Sequence, residues 1–203
     1  MKHAFMVLIR PGLLVGCVLL AAGCSSNSSI ESLNPTTTRA RIVEGQSPSE
    51  ASKEKMLAAK DALFTRLSGR LMDAMTSQGP VAAISVCQNE APSIAKAVGD
   101  EQGLQIGRTG VRLRNPDNVA PLWAQALVRD KVDAPTFVTL DNGHSAALLP
   151  IKLQGQCLMC HGPKVDIAPG IQEQLTKLYP NDEATGFKEG ELRGWFWIDL
   201  PKG

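Results

Sequence analysis

Cys157-Leu158-Met159-Cys160-His161 places two thiols and an imidazole within five residues, and Gly162-Pro163 stops regular structure directly behind them. Thiols at this spacing can form thioethers with the vinyl groups of a porphyrin, and the adjacent His is then placed to bind the iron. A chain with this motif has to fold around a large flat apolar body, a tighter constraint than any other feature it carries. Two other chemistries use closely spaced cysteines. A redox CxxC opens a helix after a strand in a parallel βαβ unit, which the Gly-Pro stop disfavours. A zinc site needs four ligands, and downstream of residue 24 the spare soft ligands are Cys87 and His144, neither at close spacing. The motif therefore reads as the attachment site of one covalent haem c, with Cys157 and Cys160 as thioether donors and His161 as proximal iron ligand.

Residues 1–23 read as an export signal. Lys2 and Arg10 supply a positive start, an apolar run follows from 11 to 22, and Ala21-Ala22-Gly23-Cys24 closes it with small residues. The end resembles a bacterial lipobox, with Leu20 one place earlier than that pattern prefers, and Cys24 becomes the lipidated N-terminus. The run is shorter than the roughly twenty apolar residues a membrane span needs, and Pro11 and Gly12 interrupt it. Ser25 stands where lipoproteins retained at the inner membrane commonly carry Asp, so the expectation is a periplasmic protein anchored at the outer membrane. Cys17 leaves with the signal, Cys24 takes lipid, and Cys157 with Cys160 takes haem, which leaves Cys87 to be explained in an oxidising compartment. Residues 24–48, with Ser-Ser-Asn-Ser-Ser and Thr36-Thr37-Thr38, read as a tether.

The remaining span, 49–203, is long enough for one core without disulfides. Its basic residues are scattered among acids (21 Lys and Arg against 20 Asp and Glu in the chain), with no basic stripe, which argues against nucleic-acid binding. Met56, Ala59, Leu63, Leu67, Leu71 and Ala74 or Met75 recur every three or four residues and predict a long amphipathic helix over 49–77. Gly79-Pro80 breaks it. A second helix follows, which Pro92 divides from a third over 93–98. A short strand is expected at 104–106, an Arg-rich ordered loop at 108–118, and a helix around Trp123 capped by Asn118 or a neighbour. Asp141-Asn142-Gly143 joins two strands in a hairpin, and Pro150 makes the second an edge or kinked strand. A helix with Ile171, Leu175 and Leu178 on one face and a last strand through Trp195 and Trp197 complete the domain. Helices come first and strands last, an α+β order with an antiparallel sheet. Met56, Met72 and Met75, like the three tryptophans, read as packing residues.

Several ordered blocks then match a known family. They are Ala82-Ala83-Ile84-Ser85-Val86-Cys87-Gln88-Asn89-Glu90-Ala91-Pro92, Ile106-Gly107-Arg108-Thr109, Arg114-Asn115-Pro116 with Asn118, Pro150-Ile151 ahead of the haem motif, Tyr179-Pro180 with Asp182, Ala184 and Gly186, and Gly190 with Arg193-Gly194. Over 49–201 the chain resembles the PAS-like single-haem c-type domains described from cyanobacteria. The resemblance implies a PAS-like antiparallel sheet flanked by helices, covalent haem, and His plus Cys as axial ligands, the Cys position being Cys87. The family's acidic residues flanking the Trp after its Asn-Pro segment are replaced here by Leu122 and Ala124.

Read from the residues alone, Cys87 is either a buried small hydrophobe or a ligand, with His144 as the competing sixth ligand. Arg108, Arg112 and Arg114 are candidates for pairing the haem propionates, Arg108 and Arg114 foremost because they fall in family blocks. With both axial positions filled the iron has no place for substrate, and no other catalytic constellation occurs, so an enzyme is not expected. The expected role is electron transfer or redox sensing with a separate protein partner. The alternative is a gas sensor in which Cys87 leaves on reduction and CO or NO takes its place. A homodimer through the long helix is left open by the sequence.

Overall fold

Ser49 starts the first helix because its hydroxyl accepts the Ser52 N–H (3.2 Å) and supplies the cap that the free end needs. The computed structural model describes residues 39–203, so the expected signal, Cys24 and the tether as far as residue 38 lie outside the described residues. The last ten residues of the stretch read as tether, 39–48, are described and include the buried Ala40, and Ile42, which bridges Leu140. Helix α1 runs over Glu50–Gln78 and buries Met56, Ala59, Leu63, Leu67 and Ala74 as the periodicity predicts, whereas Met72 is exposed rather than packed. Gly79, at φ +87°, ends it, with its N–H donating to the Met75 carbonyl (3.1 Å), and Pro80 opens α2, Pro80–Ser85.

The division expected at Pro92 is absent. Val86–Glu90 form a π-helical turn that carries α2 into α3, Ala91–Gln102, without a break. The Ala91 N–H reaches back five residues to the Val86 carbonyl. The wider turn makes room for a proline ring that would press on the Gln88 carbonyl in regular helix. Cys87 therefore sits in an irregular turn within a continuous helical stretch.

Four antiparallel strands form one sheet in the order β1-β4-β3-β2: β1 Gln105–Gly110, β2 Thr136–Thr139, β3 Ser145–Lys152 and β4 Leu192–Leu200. The expected short strand at 104–106 is longer because β4 pairs with it from Gln105↔Asp199 to Gly110↔Gly194. Arg108 thus lies on a strand and not in a loop. In the hairpin, Gly143 takes φ +82° and donates to the Leu140 carbonyl (2.9 Å). Strand β3 is interior where β2 pairs with Ser145 to Leu148, and Pro150 falls past the end of β2, where β3 has become an edge. Around Trp123 the expected helix is a 3-10 turn, Leu122–Ala124, followed by a short α4, Gln125–Arg129, with no side-chain cap from Asn118. The motif itself forms α5, Leu158–His161, and α6 is Pro169–Leu178.

One sheet face carries Ile106, Leu149, Phe196 and Ile198 against Met56 and Leu63 of α1 and Val98 of α3. The other carries Leu148 and Trp195 against Trp123 and Ala124. A third cluster packs Ile84 of α2 on Ile171 and Leu175 of α6. Each such side chain contributes roughly 1.5–3 kcal/mol when fully buried. The result is the mixed helix-and-sheet architecture, with a long N-terminal helix, that the element order predicts.

Candidate functional site

The haem motif is held in place by the segment that follows α6. Gly162 leaves the motif with its N–H donating to the Leu158 carbonyl (2.8 Å), and a Cβ there would stand 2.6 Å from that oxygen, so only glycine fits. The Gly186 N–H donates to the Gly162 carbonyl (2.7 Å) and the Phe187 N–H to the His161 carbonyl (3.0 Å). His161 Nδ1 lies 2.7 Å from the Ala184 carbonyl oxygen. A carbonyl only accepts, so Nδ1 carries the proton and Nε2 keeps a free lone pair. Phe187 packs edge-on against the imidazole, with 6.4 Å between ring centroids.

Arg114 ties this arrangement together. Its Nε donates to Asp182 (3.0 Å), and its Nη2 donates to the carbonyls of Cys160 (2.6 Å) and Ala184 (3.2 Å). Asp182 in turn accepts the Ala184 N–H (2.7 Å). Both side chains of the ion pair are only 10% exposed. The Ala184 carbonyl thus receives both the His161 ring proton and an Arg114 proton.

Cys157, Cys160, His161, Cys87, Arg108 and Arg114, the residues singled out from sequence, all line one cavity of about 240 Å³. Its apolar wall comes from Leu67, Leu71 and Met75 of α1 and Ile84 of α2. The π turn that presents Cys87 is fixed from two sides: Arg70 makes a two-point contact with Glu90 (2.7 and 2.8 Å), and the Gln88 side chain donates to the Leu178 carbonyl (3.0 Å). His144 is not part of this cavity. Its Nδ1 bonds Asp199 (2.6 Å) at the hairpin end of the sheet, where it is half-buried.

Arg114, which also lines the cavity, commits Nε and Nη2 to Asp182 and two backbone carbonyls, while its Nη1 has no hydrogen-bond partner among the described residues. Arg193, which the sequence reading placed in a family block without giving it a role, lines the cavity from β4. It donates to the Arg112 carbonyl (2.9 Å) and packs against the Phe187 ring. Neither Arg193 nor Arg108 has a carboxylate partner among the described residues. Arg112 instead stacks on Phe187, 3.8 Å from the ring centroid. Burial, with repulsion from Arg114 and Arg108, pulls Arg193 down to about 10, and burial lowers Arg108 too. Desolvated, mutually repelling guanidinium groups favour an anionic ligand.

Burial also pushes the Cys87 thiol up, opposed by Arg108, and raises Cys160. His161 is driven down to about 3 by burial and then by Arg114 and Arg193, so its imidazole is neutral and free to donate its lone pair. The donor set suits haem on three counts: two thiols and a tautomer-fixed imidazole in one motif, a sulfur on another wall of the same cavity, and unpaired guanidinium groups for acidic side chains of the porphyrin.

Comparison with known proteins follows the same line. The model of the Tll0287-like family matches residues 28–201. Among solved structures, the chain resembles the cyanobacterial heme-protein Tll0287, with 27% sequence identity, a TM-score of 0.56, and coverage of 77% of this chain and 98% of that one. No curated protein matches the chain.

Proposed function

The chain belongs to the Tll0287-like family, and on that premise we propose that it binds one haem c covalently and works in electron transfer or redox sensing. The observation that carries this reading is the His161 imidazole, its Nδ1 proton given to Ala184 and its lone pair left free in a cavity it shares with Cys157, Cys160 and Cys87. Bound iron supplies one-electron exchange between ferric and ferrous states. The chain's own residues do the rest. Cys157 and Cys160 hold the porphyrin, His161 and Cys87 hold the iron, and Arg193 with Arg108 pairs the propionates. Arg114 positions His161 through the Ala184 carbonyl. With His161 and Cys87 both holding the iron, no coordination site would be left for a substrate, which favours electron exchange over catalysis. Thiolate donation stabilises ferric iron, so the reduction potential is expected below that of a His/Met cytochrome. The pattern of residues 1–24 supports a further part of the proposal, a periplasmic protein on a lipid anchor at Cys24.

The test is mass spectrometry and pyridine haemochrome analysis of protein matured in a periplasm competent for c-type attachment. Haem is expected to stay with the denatured wild type and to be lost from Cys157→Ser/Cys160→Ser; a wild type without haem overturns the proposal. Ferrous protein is expected not to bind CO. Binding accompanied by loss of the Cys87 ligand would move the assignment to gas sensing through a separate partner.

A further inference from the structure

A second cavity, of about 520 Å³, adjoins the first, and Cys87, Arg108 and Asn118 line both. Small residues of α3, Ala91, Ala95 and Gly99, form one wall; the 115–119 loop and Trp197 form the others. The groove follows the outer edge of β1. The Val111 N–H donates to the Arg193 carbonyl (3.3 Å), continuing the β1–β4 register. In an antiparallel pair this assigns the odd-numbered residues of β1 to β4 and turns the N–H and C=O of Ile106 and Arg108 outward. Leu104, the preceding outward residue, gives its N–H to the Gly99 carbonyl (3.0 Å), but Ile106 and Arg108 have no such backbone partner among the described residues, although Ile106 is only 7% exposed. At the opposite edge of the sheet, Ile42 bridges Leu140 and the Val43 N–H donates to the Thr139 carbonyl (2.9 Å). One edge is closed by the chain itself, and the other opens into a groove.

The chemistry of the groove narrows its occupant. The outward N–H and C=O groups of Ile106 and Arg108 balance one another along the edge, and the Arg108 guanidinium adds donors to them, with the Asn118 amide beside it. On the rim Asp100 is held by Lys96 (2.5 Å), and Asp117 is exposed. The Trp197 ring lies directly over Gly107, where a Cβ would come within 2.4 Å of it, and gives the groove an aromatic wall. Two outward strand residues are too short an edge for a docked peptide strand but suit a small molecule, and the volume falls within the range of small-ligand sites, roughly 300–1,000 Å³. We infer that this groove binds a small planar ring bearing carbonyl oxygens, the quinone class. Its oxygens accept from the β1 edge and Arg108, and its ring lies against Trp197, beside the sulfur of Cys87. The inference stands on the groove and does not require the haem reading, although a redox-active ring there would sit next to the proposed iron ligand.

The test is equilibrium dialysis of the matured protein against 2,3-dimethyl-1,4-naphthoquinone, whose substituted alkene carbons leave no open position for addition of the Cys87 thiol. Saturable binding to one site is expected. It should weaken at least about tenfold in Ala95→Trp, which fills the groove from a position outside the haem cavity, with haem content unchanged by pyridine haemochrome. Val119→Trp fills it from the loop and keeps the result readable if Ala95→Trp does not fold. No saturable binding up to the solubility of the probe, or undiminished binding in both groove-filling variants, overturns the inference. Haem content is read separately, so failure of the cofactor assignment and failure of the groove assignment are distinguishable.

Discussion

Arg114 and Arg193 line the same cavity, yet they answer to different forces. Arg114 and Asp182 form a buried pair, so Arg114→Met strands a carboxylate. Urea unfolding should show a loss of about 3–5 kcal/mol. Arg193 is repelled by its neighbours, so Arg193→Met should cost much less stability while lowering the reduction potential by roughly 20–60 mV, because a positive charge near the haem favours the reduced state. His161 gives a pH signature when haem attachment is prevented. In Cys157→Ala/Cys160→Ala the folded imidazole titrates near 3 against an ordinary 6.5. The unfolded chain therefore takes up the proton first. Stability from this group is fully present above 6.5 and declines as pH falls from 6.5 toward 3, by at most about 1.4 kcal/mol per pH unit, measurable by urea unfolding at stepped pH. Cys157, Cys160 and His161 were legible in the sequence because their chemistry is local. Arg193 was not, because its place in the cavity is made by the pairing of β4 with β1, and neither was the Arg114–Asp182 pair, whose members lie 68 residues apart.

At the scale of elements, hydrophobic spacing located α1 to within a residue at each end, since a long amphipathic stripe repeats its signal many times. The π turn repeats nothing. One extra residue per turn over Val86–Glu90 leaves the apolar spacing almost unchanged, so Pro92 read as a break instead of the cause of a wider turn. Strand β1 was underestimated for a related reason: Gly107 and Gly110 look like loop residues, but β4 fills the space beside them, with the Trp197 ring at Gly107 and the Arg193 guanidinium at Gly110. A Cβ at Gly107 would meet the Trp197 ring at 2.4 to 2.8 Å, a contact with an indole pinned in the sheet. Gly107→Ala should therefore destabilise the protein by about 1–3 kcal/mol in denaturant unfolding. Gly45→Ala makes a suitable comparison for steric effects, since nothing lies within 4 Å of the added carbon and any loss there comes from its positive φ.

For the whole molecule, α1, the π turn and the sheet form the walls of the cavity, and the CxxCH motif closes it from a short helix between β3 and β4. The order of helices and strands made that α+β plan legible, while the two-cavity arrangement around Cys87 and Arg108 depends on packing that no linear pattern records. The proposed anchor has its own test. Cys24→Ser should release the protein from the membrane fraction to the soluble periplasm on cell fractionation, with its haem spectrum unchanged. In the proposed function His161 and Cys87 hold one covalent haem from different walls of one cavity. Ferric and ferrous absorption spectra of wild type and Cys87→Ser, each matured with attached haem, test it most directly. A low-spin c-type ferric spectrum is expected in the wild type, with bands that shift when the sulfur is removed; identical spectra in the two proteins would remove Cys87 from the iron.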